Sequence, residues 1–172
     1  AMVEKQPYQV ERSLGESMEL RRYPAHRVVS VDVRGGIEEA GNLGFGPLVG
    51  YISGANASRQ KIAMTTPVLQ EESDGHYRVS FVLPQEWWDR QAPAPLGDQV
   101  WIEDRPAEVF AAITFRGGWR EEKVLTQETV LRDTLQAQGI QATGPAVYAR
   151  YDPPSVPGIF RRNEVLIPVS AA

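Results

Sequence analysis

Over residues 27–36 apolar and polar side chains alternate, with Val29, Val31 and Val33 on one side and Ser30, Asp32 and Arg34 on the other. That is the period of a half-buried strand, ended by Gly35-Gly36. From Ile37 the period lengthens. Phe45, Leu48, Val49 and Ile52 fall at i, i+3, i+4 and i+7, which predicts an amphipathic helix that Gly44, Gly46 and Pro47 are expected to break or restart. Residues 61–69 read as a strand bounded by Pro67, and Tyr77, Val79, Phe81 and Leu83 alternate as its partner across the turn Ser73-Asp74-Gly75.

After a Pro/Gly-rich connector at residues 91–97, too short to mark a hinge, a second series begins. Strands are expected at 100–103 and 109–115. A helix follows from about 121 to 138, with Val124, Leu131 and Leu135 inward and Gly139 as its stop. Two more strands, 146–151 and 163–169, flank the loop Asp152-Pro153-Pro154-Ser155-Val156-Pro157-Gly158. The order strand, helix, strand, strand thus occurs twice. It predicts one α+β domain over 1–172 with pseudo-repeats at about 17–90 and 99–170, two βαββ units whose sheets pack under two helices. Such a pair leaves a groove between sheet and helices for a ligand.

Composition narrows the chemistry. The 172 residues suffice to bury about two thirds of the unfolded surface in one core. A net charge of -4 argues against nucleic acid as a partner, because neutralising phosphates needs a basic face; Arg21-Arg22 and Arg161-Arg162 are too small to supply one. The absence of cysteine excludes disulfides, thiol nucleophiles and cysteine-ligated metals. No apolar run reaches the length of a membrane span, and no apolar leader precedes the first strand. Cytoplasm is the expected compartment, with removal of an N-terminal signal or anchor ahead of Ala1-Met2 left open.

Few motifs carry chemistry. The glycines at 41, 44, 46 and 50 miss the dinucleotide fingerprint, since Val49 stands where its last glycine belongs and Pro47 intrudes. Glu38-Glu39 and Glu121-Glu122 read as solvated helix positions. Of two histidines, His76 follows a turn and is expected to be exposed. His26 opens a strand on the parity of Val28 and Ser30, so it is expected to face solvent or to pack simply, with iron ligation the alternative, imidazole being a common haem ligand. Met64 shares a strand face with Ile62 and Thr66 and is expected to fill the core. Trp87-Trp88 either caps a ligand groove or seals one end of the core.

Several collinear segments together resemble the SOUL/haem-binding-protein family over residues 8–169. They are Glu19-Leu20-Arg21-Arg22-Tyr23, Gly44-Phe45 with Leu48, Tyr51-Ile52-Ser53-Gly54-Ala55-Asn56, and Lys61-Ile62-Ala63-Met64-Thr65-Thr66-Pro67-Val68. Later come Val79-Ser80-Phe81, Pro93-Ala94-Pro95, Tyr151-Asp152-Pro153-Pro154 and Arg161-Arg162-Asn163-Glu164-Val165. The resemblance implies a distorted β-barrel of two βαββ repeats, related to GyrI-like effector-binding domains. It implies haem or another tetrapyrrole as cofactor, held against the first helix and the loop before the last strand: here Phe45, Leu48, Val49 and Ile52 with Val156 and Arg161. The axial histidine of one branch of the family corresponds to Arg22, which stays protonated and cannot ligate iron. The basic residues of another branch correspond to Asn42, Gly50 and Val156, leaving Arg161. Haem would then be bound without a protein axial ligand, or through His26.

The expected function is binding of a small planar apolar tetrapyrrole for buffering, transfer or sensing rather than catalysis, with any protein partner unknown. Two alternatives remain: a GyrI-like receptor for other apolar or cationic small molecules, with Glu164 countering ligand charge, and an enzyme modifying a tetrapyrrole through His26 or Glu164.

Overall fold

The computed structural model describes residues 3–153 and 155–170, so Ala1-Met2 and Pro154 of the proline-rich loop lie outside the described residues. Along the chain come β1 (Glu4–Lys5), β2 (Gln9–Gly15), β3 (Met18–Tyr23), β4 (His26–Val33), α1 (Ala40–Ile52), β5 (Thr65–Thr66), β6 (Val68–Ser73) and β7 (His76–Val82). The remainder is β8 (Val100–Arg105), β9 (Glu108–Arg116), α2 (Glu121–Ala137), β10 (Val147–Arg150) and β11 (Arg162–Pro168). The class is α+β. By contact density the chain forms two compact units, Ala1–Gln6 with Ala25–Pro106, and Pro7–Pro24 with Ala107–Ala172.

In the first unit β6, β7, β4 and β8 pair antiparallel in that order, with Val29 opposite both Phe81 and Ile102. Val29 and Val31 face α1, whose Ala40, Leu48, Tyr51 and Ile52 complete the core with Val79, Phe81, Leu83 and Trp87. Contrary to expectation, α1 is continuous through Pro47. The ring removes one N–H and leaves the Leu43 carbonyl without its helical donor, but Leu43 is an exposed position where water can take the place of the lost bond. Gly44 fixes how closely helix and sheet approach, since a Cβ there would lie 2.7 Å from the Val79 Cβ. The strand expected over 61–69 begins only at Thr65 and is interrupted at Pro67, which has no N–H for a ladder. Met64 packs, half-buried, against this core, as expected. Trp87 is buried within it and Trp88 donates its indole N–H to Leu83 O at 2.7 Å, so the tryptophan pair seals the core.

In the second unit β2, β3, β9, β11 and β10 pair antiparallel. α2 lies against β9 and β11 and buries Val124, Leu131 and Leu135, the positions its periodicity indicated. The β2–β3 hairpin was not anticipated: its residues carry charges on both faces, and only Leu14, Arg21 and Tyr23 are buried. Within each unit the strand series is open, its two outer strands unpaired with each other, so the expected barrel does not close.

Gly44→Ala should destabilise by about 1–3 kcal/mol, the usual cost of overpacking. Gly46→Ala, on the same helix with nothing within 4 Å of the added carbon, should be neutral or stabilising. Urea unfolding of both variants checks this; equal midpoints would contradict the close approach.

Candidate functional site

The apolar stripe of α1 divides between core and surface. Residues on a helix advance by about 100° each, and the buried line runs through Ala40, Gly44, Leu48 and Tyr51. Phe45 and Val49 therefore fall on its flank. Leu48 and Ile52 are buried against the unit's own sheet, Val49 is half-buried, and Phe45 is 46% exposed. The Phe45 ring is not loose: it stands edge-on to Phe81 with centroids 5.6 Å apart. The sheet leaves an aromatic edge open there while fixing its position.

His26 lies elsewhere. It is on the parity of Val28 and Ser30, whereas α1 covers Val29 and Val31, so the imidazole points to the opposite face of the sheet. Its ring neighbours Trp88, with centroids 6.2 Å apart. His76, expected to be exposed, is half-buried, with Nε2 3.0 Å from Asp32 Oδ2. In the second unit the structure does bring Val156 and Arg161 together, Arg161 Nε donating to Val156 O at 2.7 Å. The chain between them carries Ile159 and Phe160, 74% and 62% exposed.

A buried charge cluster occupies the face of the second sheet opposite α2. Glu164, on β11, is 0% exposed. Its Oε1 accepts from Arg21 Nη1 at 2.8 Å and Tyr151 Oη at 2.7 Å. Its Oε2 accepts from Arg21 Nη2 at 2.6 Å, Arg162 Nη2 at 2.7 Å and Thr114 Oγ1 at 2.8 Å. Arg21, 1% exposed, also donates to Tyr23 Oη at 3.0 Å and Glu19 Oε2 at 2.8 Å, and sits 4.1 Å above the Tyr8 ring. Burial by itself would raise the Glu164 carboxyl, but the hydrogen bonds and charge of Arg21, then the charge of Arg162, hold it down at about 2. Burial and Glu164 together push the Tyr151 phenol well above its usual range. Reading Arg21-Arg22 as a local basic pair missed this, because only strand pairing turns Arg21 inward and leaves Arg22 outside against Glu11. The alternation Glu19, Arg21, Tyr23 was the available signal.

An open groove of about 540 Å³ in the second unit is lined by Arg12, Leu20, Arg22, Val109, Gln138 and Ile140, among others. None of the ligand residues expected from the sequence lines it. Among the described residues no three His, Asp or Glu side chains gather as a metal site, and no helix is long and apolar enough to cross a membrane.

The family model described as SOUL heme-binding protein matches residues 3–168. Heme-binding protein 1 of Mus musculus is 31% identical over 175 residues, covering 95% of this chain and 91% of its own. Heme-binding protein 2 of Homo sapiens is 32% identical over 158 residues, covering 87% and 76%. Among solved structures, the EcmrR C-terminal domain superposes with a TM-score of 0.64 at 14% identity, covering 96% of this chain and 99% of that one. That likeness establishes a shared fold.

Ionisation of Glu164 contributes stability that is fully present above its unfolded value near 4.5 and is lost as pH falls through about 2. Wild-type melting temperature should therefore fall across that interval. Glu164→Gln should melt lower at pH 7, because Arg21 loses its buried partner at a cost of about 3–5 kcal/mol, and should lose less on acidification. A variant indistinguishable from wild type at both pH values would contradict the assignment.

Proposed function

The chain belongs to the SOUL haem-binding protein family, and from that premise we propose that it binds haem or another tetrapyrrole for buffering, transfer or sensing. Its likeness to the mouse and human haem-binding proteins supports this reading. On this view residues 1–172 form one SOUL-like domain, with pseudo-repeats at about 17–90 and 99–170.

The observation that carries the reading is the flank of α1. Phe45, held by Phe81, and half-buried Val49 offer a planar apolar group a surface that needs no rearrangement, while Leu48 and Ile52 support them from below. Burying the face of a macrocycle supplies most of the affinity at about 25 cal/mol per Å², diminished by the entropy of association. Val156 and Arg161, which the resemblance also implicates, lie in the second unit, where Arg161 Nε donates to Val156 O. A bound haem would bring redox and gas-ligand chemistry. The residues at α1 would position the ring and exclude water from its face, and His26 projects from the face of the sheet opposite to α1.

The other readings draw less support. A receptor for cations would need a carboxylate with charge to offer, and Glu164 is already matched by Arg21 and Arg162. The same carboxyl, held near 2, carries no proton to donate near neutrality, which counts against a general-acid role on a bound pigment.

Titrating the protein with haemin should give a saturable Soret change at micromolar concentration. Phe45→Asp, which gives up the edge contact with Phe81, should still fold with a melting temperature lower by a few degrees, and should weaken binding about tenfold, near 1.4 kcal/mol. Absence of saturation, or an unchanged affinity in Phe45→Asp, would overturn the site.

A further inference from the structure

Where α2 ends, part of the second unit's sheet is left uncovered. The helix stops at Ala137, and Gly139, at φ +70°, turns the chain back. The floor beyond it is made by Leu20 and Arg22 of β3, with Val109 of β9 opposite Arg22 and Arg12 of β2 opposite Leu20. Leu20 and Arg22 alternate with Arg21 and Tyr23, so this floor belongs to the α2 face and not to the face that carries Glu164.

These residues line the open groove of about 540 Å³, a volume within the range of small-molecule sites. Its apolar surface comes from buried Val109 and from half-buried Leu20 and Ile140. Its walls are fixed by hydrogen bonds inside the unit. Gln138 Nε2 donates to Leu14 O at 2.8 Å, the Ile140 N–H to Leu135 O at 2.9 Å, and the Ser170 N–H to Gln141 O at 3.0 Å. The groove is therefore formed before anything enters it.

Charge along its rim is uneven. Arg22 Nε donates to Glu11 Oε1 at 2.6 Å, and each neutralises the other. Arg12 stands on the same rim with neither an ion pair nor a hydrogen bond among the described residues. The groove thus carries one uncompensated positive charge on a chain whose net charge is -4. The last carbonyls of α2 repel an anion, so its place is at the arginine rim and not beside Gly139. There a guanidinium can offer a carboxylate two parallel donors. An apolar body attached to that carboxylate gains by covering Leu20, Val109 and Ile140, which a bare inorganic anion cannot do.

We propose that this groove is a binding site for an amphipathic carboxylate of the fatty-acid class, with Arg12 pairing with the carboxylate and Leu20, Val109 and Ile140 receiving the chain. It is formed wholly by residues of the second unit and stands independently of the tetrapyrrole reading.

The test titrates octanoate and octylammonium, which share a chain and carry opposite charges, into protein with isotope-labelled Leu, Val and Ile methyl groups, followed by NMR. Octanoate should saturate at low-millimolar concentration and shift the methyls of Leu20, Val109 and Ile140, not those of Val49 and Ile52 on α1. It should bind about tenfold tighter than octylammonium. Arg12→Gln should weaken octanoate about tenfold and leave the melting temperature unchanged, since Arg12 has no protein partner to lose. Glu11→Gln, which removes the negative charge from the rim, should tighten octanoate about threefold. Failure of octanoate to saturate, shifts confined to the α1 methyls, or equal affinity for the two ions overturns the site, as does octanoate binding that Arg12→Gln leaves unaltered. Should Arg12→Gln fail to fold, the comparison of the two ions on wild type still decides.

Discussion

A carboxylate sealed from water needs cations at its own depth, and Glu164 finds them in Arg21 and Arg162. The groups that meet it come from β3, β9, β11 and the residue that follows β10, so one buried anion holds four strands in register. A slip of one residue in β11 would turn the carboxylate to the α2 face and leave both arginines without it. Ion pairs of this kind need not add much net stability over an apolar core of the same shape. Their effect is on which pairing is allowed, because every alternative leaves a charge buried and unmatched. The tyrosines follow from the same constraint: Tyr8 lies under Arg21, Tyr151 lies under Arg162, and both present a ring face to a guanidinium.

The first unit is organised differently. Its sheet is held by apolar packing against α1, and the few polar groups inside are matched locally, as Ser30 and Ser80 are at 2.7 Å across neighbouring strands. Here the decisive quantity is the rotational phase of the helix. Gly44 lets α1 approach the sheet along the Ala40 to Tyr51 line, and this phase leaves Phe45 on the flank. A larger side chain at 44 would have required the helix to turn or lift, and the open aromatic edge would have changed with it.

The two faces of the second sheet handle charge in opposite ways. On one, cations and anion are balanced and withdrawn from solvent; on the other, the Arg150 guanidinium stands over the buried Trp119 ring, 5.1 Å from its centroid.

Much of the architecture was legible in local pattern. The valine alternation of β4 and the inward leucines of α2 follow from periods of 2 and 3.6 that neighbouring residues impose on one another. The continuity of α1 through Pro47 was not, because it depends on whether the bereft carbonyl faces water. Nor was the β2–β3 hairpin, whose mixed charges acquire meaning only when Arg21 meets a carboxylate 143 residues further along. The same holds for the site residues. Sequence placed Phe45, Leu48, Val49 and Ile52 on one helical stripe, but tertiary packing divided them between core and surface. It also put His26 across the sheet and joined Val156 to Arg161. Periodicity records which residues share a face; only long-range pairing decides what that face meets.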